Sequence, residues 1–464
     1  MARPIRDTSY LSMDSAFMIH YDTDGVHSPD LTSSQPDGTP DWIVEVATAL
    51  DSARSLLLSL GFDEALPDGD GIYDVYIKEF GGRTYGETQF ESPSTGGGWI
   101  AYLEMDNDFA DDENYYTHGL HAARVTAAHE YFHAVQLAYP WTGGDIYFYE
   151  LSSTWFEEVA YPEVNDWVYW YDDFADNPER SMALTNGYSI AFFGHYLTHA
   201  HDDIDIMRQV WDRMRQTNAT QAIEDRIAAH GGSLVSAWTD CVARLFFNGL
   251  APGYYFHADQ DSLSLPATGL PEELSASRST VFHQLQPGRV GLEALNVDEA
   301  TNVYFRIQAA PIDHAARLVR LGDTYHLDEL SRVRWFTAGV SRDTELILVA
   351  GGEQDSVQVD ARISDLQLAI NSVYPNPLFL GNQPTLDVEY ILAEALPPGE
   401  HRVIIYDLLG REVYRQKLAA PDGGQIVTLS LPSYRFNTWP SGVYFLRLTM
   451  GSTRANSRTF TIIK

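Results

Sequence analysis

His129-Glu130-Tyr131-Phe132-His133 is the stretch on which the reading of the chain turns. Its pattern is H-E-x-x-H. On a helix, residues four apart lie one above the other, so His129 and His133 can offer two imidazole nitrogens to one ion. Glu130 lies beside that face, where it can reach a bound water without being a ligand. Zinc suits such a donor set, because it accepts imidazole and carboxylate and keeps one position open for water in a catalytic site. The flanks read as helix. Val125, Ala128, Phe132, Val135 and Tyr139 recur at three- and four-residue steps, and Pro140 with Gly143-Gly144 ends the run.

A catalytic zinc needs three protein ligands. Gln136 stands where the short-spaced pattern with a third His carries Gly, so the third donor lies further on. Ser152-Ser153-Thr154-Trp155-Phe156-Glu157-Glu158 reads as a capped helical turn with two carboxylates, either of which could serve.

Length and charge bound the rest. A chain of 464 residues exceeds one ordinary core and predicts two to four domains. With 65 acidic and 30 basic residues the net charge is −35, which repels a polyanion and argues against nucleic acid. Only Lys78, Lys417 and Lys464 are lysines, a balance that fits a surface kept hydrated in high salt or simply an acidic secreted protein. No run of eighteen apolar residues exists, so no membrane-spanning helix is expected. Cys241 is the one cysteine, which excludes an intrachain disulfide or a cysteine-based zinc site; within the apolar stretch 234–247 it reads as a buried small hydrophobe. Met1-Ala2-Arg3-Pro4 lacks the apolar stretch of a signal peptide. The protein therefore stays inside or has lost a leader; the C-terminal region favours the second.

In chain order, strands are expected at 17–21, 73–77 and 99–105, and a helix from Thr39-Pro40 to Gly61. Asp68-Gly69-Asp70 and the acidic run 106–113 offer oxygen ligands for a structural Ca2+, although ordinary solvated turns explain both. Residues 163–182 mix Trp, Tyr and Asp, as a substrate subsite or a half-buried surface would. Helices are predicted at 190–199, 204–215, 221–230 and 234–247. Residues 256–279 read as a linker. Residues 280–369 hold short strands at the spacing of a β-sandwich.

His20-Tyr21-Asp22-Thr23, Tyr73-Asp74-Val75-Tyr76, the run from Ala128 to Gln136, and Trp155 with Glu158 resemble a bacterial group of secreted zinc metalloproteases, zincins of the Glu-ligand type. The resemblance covers about residues 10–250 and is strongest around the central helix. It implies an α+β zincin-like catalytic domain over 1–255, with zinc on His129, His133 and Glu158. Glu157 is the alternative third ligand. It implies Glu130 as general base, Tyr188 and then His195 as partner of the oxyanion, the strand 99–105 as rim of the cleft, and a protein or peptide substrate.

Tyr374-Pro375-Asn376-Pro377, the run from Val403 to Val413 and Ser441-Gly442-Val443-Tyr444 resemble the C-terminal sorting domain of type IX secretion, an immunoglobulin-like sandwich over 370–464. That implies the type IX machinery as partner and export across the outer membrane. The fold class expected is thus multidomain: the α+β zincin-like domain followed by two all-β sandwich domains. The rival reading is a cell-surface adhesin or glycan-binding protein on a degenerate zincin scaffold, with 163–182 as its binding face.

Overall fold

The structure is a computed structural model that describes residues 3–464 apart from 83, 96, 111–113, 141–142, 276, 300, 333–335, 354–355, 364–367, 393–398, 419–425, 452 and 456. The chain forms two compact units, residues 1–267 with 286–290, and residues 268–285 with 291–464.

In the first unit, Phe17, Ile19 and Tyr21 alternate with partly exposed Met18 and His20. This makes a strand with one buried face, β2 (Phe17–Tyr21), and β1 (Thr8–Leu11) pairs antiparallel with it. Pro40 stands directly before α1 (Asp41–Ser59), which buries Ile43, Val46, Leu50, Ala53 and Leu57 as one stripe. β3 (Tyr73–Lys78), β4 (Gly86–Pro93) and β5 (Trp99–Asp106) complete a sheet of order β1-β2-β3-β5-β4. β2, β3 and β5 run parallel, and β4 lies antiparallel on β5 at the edge. The strand 99–105 expected as the cleft rim is therefore interior, hydrogen-bonded on both sides, and β4 takes the rim. β4 has no counterpart in the sequence reading. Its run from Gly86 to Phe90 is mostly polar and fully buried on neither face, as an edge strand tolerates.

α2 (Gly119–Gln136) packs against α1, β4, β5 and α3 (Ile146–Ala160). Ala122, Ala123, Ala127, Ala128 and Ala134 are all buried and let these neighbours approach closely. α3 begins well before the capped turn predicted at Ser152. Ser152, Ser153 and Thr154 are wholly buried in mid-helix, and the Ser152 hydroxyl donates back to Phe148 O at 2.7 Å. α4 (Trp167–Asp176), α5 (Phe192–His201), α6 (Ile206–Met214), α7 (Ala219–Ala229) and α8 (Leu234–Leu245) follow. Asn218 and Ser233 cap the last two, accepting from the backbone N–H of Gln221 and Ser236.

The linker assigned to 256–279 is corrected at both ends. Short 3-10 turns at Pro252–Tyr254 and Ala258–Asp261 pack on the first unit, where Gly249 N donates to Gln260 O at 2.9 Å and Asn248 Nδ2 to Ser264 O at 3.0 Å. The first unit thus runs to 267, not 255. Strand Ser277–Phe282 already belongs to a sheet of the second unit.

The second unit holds two hydrophobic cores. The first lies between a sheet that includes His314–Leu321 and Glu345–Gly352 and a sheet that includes Thr301–Ala309 and Val357–Ile363. Val303, Phe305, Leu318, Leu348 and Val359 fill it. The second lies between Leu368–Tyr374, Thr385–Leu392 and Ile426–Pro432 on one side and a sheet built on His401–Tyr406, Gly442–Met450 and Arg458–Ile463 on the other, with Val388, Ile405, Leu446 and Phe460 inside. The chain is multidomain, an α+β unit followed by β-sandwiches.

Candidate metal centre

α2 presents His129 and His133 one turn apart, with ring centroids 4.6 Å apart. Their Nε2 atoms converge on Glu150 Oε2 of α3, at 3.3 Å from His129 and 3.2 Å from His133. A tetrahedron with zinc–nitrogen and zinc–oxygen bonds of about 2.0–2.1 Å has an edge of about 3.3 Å. The spacing therefore matches two edges around one ion. Glu150 Oε2 is buried and has no hydrogen-bond partner.

The remaining ring nitrogens are held from behind. His129 Nδ1 donates to Glu157 Oε1 at 2.5 Å, and His133 Nδ1 donates to Gln136 Oε1 at 2.8 Å. Gln136 Nε2 donates to Tyr149 O at 3.0 Å and to Ser153 Oγ at 2.9 Å, which fixes which way its amide faces. Both imidazoles are thereby set in the tautomer that leaves Nε2 as the open donor. Burial disfavours charge on His129, yet contacts with Glu150 and Glu157 outweigh it and hold the ring above its ordinary range. Burial likewise works against Glu150, but the neighbouring His133 and His129 hold it well below the usual carboxylate value. Burial pushes Glu157 up to about 7 despite its bond to His129.

Glu158, favoured from the sequence as third ligand, is not at this centre. It leaves α3 on another side, with Oε1 3.7 Å from His257 Nε2; burial, then the charge of Asp259, pushes it up to about 9. Glu157 stands behind His129 instead of beside the converging atoms. Glu150 takes the place; once α3 is seen to start at Ile146, Glu150 and Glu157, seven apart, share one face of the helix. Glu130 sits in the cleft wall, where the Thr88 hydroxyl of β4 donates to its Oε2 at 2.8 Å and to its backbone O at 3.0 Å. Tyr188 stacks on His129, with centroids 5.5 Å apart and planes 2° from parallel; burial, then Glu150 and Glu130, keep its phenol protonated. His195 is buried away from the pair, its ring 4.5 Å from His257.

Two glycines set this geometry. Gly187 has φ +93°, and a Cβ there would meet Tyr147 O at 2.3 Å and Glu150 Cβ at 2.6 Å, so Tyr188 approaches α3 only behind glycine. A Cβ on Gly86 would meet Glu130 Cγ and Thr126 Cγ2, each at 2.9 Å. Cavities of about 280 and 380 Å³ flank the centre and share Gly86, Glu130 and Tyr188 in their walls. Trp170, Asp166, Tyr85 and Glu157 also line the smaller one. Trp170 lies 5.1 Å from Tyr188 and 5.3 Å from Tyr116, and Tyr116 stacks on Tyr169; both of these tyrosines are exposed.

The acidic turns offered for calcium use their carboxylates internally. Asp68 and Asp70 accept from the backbone of Asp70 and Ile72, and Asp106 accepts from Phe80, Asp108 and Phe109. Residues 111–113 of the second run lie outside the described residues.

Comparison with known proteins adds the following. Among curated proteins nothing matches. A β-glucuronidase of Parabacteroides merdae with glycerol in its active site is 10% identical with a TM-score of 0.22, over 37% of this chain and 27% of that one. A β-glucuronidase of Bifidobacterium dentium in complex with coumarin-3-O-glucuronide is 12% identical with a TM-score of 0.19, over 42% and 49%. The BSP domain of a biofilm-associated protein is 8% identical with a TM-score of 0.15, over 43% and 53%. The chain thus spans about a quarter to a half of these structures, and at such scores the likeness assigns no activity. These structures are β-glucuronidases and a biofilm-associated domain; nothing in the comparisons supports the zinc peptidase on a zincin fold expected from the sequence, and that expectation is withdrawn. No helix among the described residues is long and apolar enough to cross a membrane. The family described as secretion system C-terminal sorting domain matches residues 372–464. The chain therefore ends in a type IX sorting domain and is exported across the outer membrane, to be released or kept at the cell surface.

Proposed function

We propose that the N-terminal unit is a carbohydrate-directed module working through one divalent cation on His129, His133 and Glu150. The orphaned Glu150 Oε2, one tetrahedral edge from both imidazole nitrogens, carries the cation reading. Two imidazoles and one carboxylate suit zinc better than calcium or magnesium, which take all-oxygen shells. When bound, the cation supplies Lewis acidity and lowers the pKa of adjacent water. Thr88 holds Glu130 in the cavity wall, where its carboxylate can take a proton from water and return it to a leaving group. Tyr188 keeps its hydroxyl proton and serves as a hydrogen-bond donor in the same wall.

The ligand class follows from the lining. Trp170 and Tyr188 bring flat aromatic surface to a wall that also carries Asp166 and Glu157. A sugar ring has C–H faces that pack on aromatic rings and a rim of hydroxyls that donate to carboxylates.

The test is a glycan array probed with the full chain, with and without chelator. Binding is expected to need the cation and to weaken at least about tenfold in Trp170→Ala, the loss of one aromatic contact worth about 1.4 kcal/mol. Absence of glycan binding, or binding indifferent to both chelator and Trp170→Ala, rejects the reading.

A further inference from the structure

We infer that the first unit carries a second cation site, on Glu158, His257 and Asp259, separate from the centre on His129, His133 and Glu150. One donor atom from each of the three residues lies within 4.8 Å of the others. Glu158 Oε1 is 3.7 Å from His257 Nε2, and Asp259 Oδ2 is 3.4 Å from His257 Nδ1. The second Glu158 oxygen, Oε2, is buried without a hydrogen-bond partner, on a residue that is 5% exposed. Next to this group lies His195, 4% exposed, its Nε2 also buried without a partner and its ring 4.5 Å from that of His257. A carboxylate buried beside a histidine and a second carboxylate costs free energy that a cation removes.

The surroundings are those of a closed structural site. Trp167 covers it, its ring 5.3 Å from His195 and 5.5 Å from His257. Asn165, with its amide turned to satisfy its neighbours, donates to Asp259 Oδ2 at 3.1 Å and to Pro162 O at 2.9 Å. The backbone N–H of Asp259 donates to His257 Nδ1 at 3.4 Å, so Nε2, on the side of Glu158, is the ring nitrogen that would face the cation. The mixed nitrogen and oxygen donors select a zinc-like cation. Glu158 belongs to α3, whereas His257 and Asp259 belong to the turn past α8. The cation would tie that turn to the helix that also supplies Glu150 and Glu157, the role a disulfide has in other exported proteins.

The experiment measures zinc per chain and melting temperature on the full chain, stripped with chelator and reloaded. Wild type is expected to bind two zinc ions, and His133→Gln with Glu150→Gln is expected to bind one. In that variant added zinc still raises the melting temperature, and adding Glu158→Gln with His257→Gln removes both the ion and the rise. A His133→Gln/Glu150→Gln variant that folds but binds no zinc overturns the second site, whatever wild type binds. One zinc in wild type, kept in that variant and lost with Glu158→Gln, upholds the second site and rejects the first instead.

Discussion

Glu150 and Glu158 lie two helical turns apart on α3, and their exchange for glutamine separates the roles given to them. Glu150→Gln is expected to abolish zinc binding at the His129–His133 centre, because it removes the anion that both Nε2 atoms face. Competition titration against a chromophoric chelator reads this directly. Gln136→Leu is the subtler case. It deletes the acceptor that fixes the His133 tautomer and removes one of the side-chain donors to Tyr149 O, leaving that of Ser152. Affinity at the first centre is expected to fall about ten- to a hundredfold, and stability by about 1–3 kcal/mol, read by zinc titration and urea unfolding. His129, Glu130 and His133 were legible in the sequence because a four-residue repeat is local. Glu150 was not, because Ser152-Ser153-Thr154 look like a helix cap and turn out to be buried polar contacts inside one. Gln136 reads as the missing Gly of another pattern and becomes a support of His133 only once α3 lies against α2.

Among the elements, the 3-10 turn that carries Tyr188 depends most on one backbone position. Gly187→Ala would place a methyl against Tyr147 O and Glu150 in a left-handed conformation. A destabilisation of at least about 1–3 kcal/mol is expected in urea unfolding, together with weaker zinc binding, because α3 must recede from the turn. Equal stability and equal affinity in Gly187→Ala would show that Tyr188 is not held by this approach. β2, β3, β5 and α1 were readable from period-two and period-3.6 burial. β4 was not, since an edge strand without a fully buried face leaves no periodic trace, yet it supplies Thr88 and the close approach of Gly86 to Glu130.

Across the whole molecule, charge is the dominant bulk property. A net charge of −35 repels itself at every distance shorter than the screening length, which is about 10 Å at 0.1 M salt and about 3 Å at 1 M. The melting temperature is expected to rise by several degrees between about 0.1 and 1 M KCl in scanning calorimetry; a flat or falling curve removes the salt-hydrated reading of the surface. At this scale the C-terminal sorting domain was legible because three separated motifs fall in order. The domain junction was not, because a Pro-, Ser- and Asp-rich segment looks unstructured whether it spans a gap or lies, as Gln260 and Asn248 show, on a folded surface. The solitary Cys241 is wholly enclosed in α8, its thiol pushed up by burial. Within these 464 residues, no intrachain disulfide can form, and a phosphine reductant, which unlike a dithiol does not compete strongly for zinc, should leave the melting curve where it is. With a cation on Glu158, His257 and Asp259 as proposed, the bracing of the exported form is coordination chemistry, and its durability outside the cell would follow trace-metal supply and not redox poise.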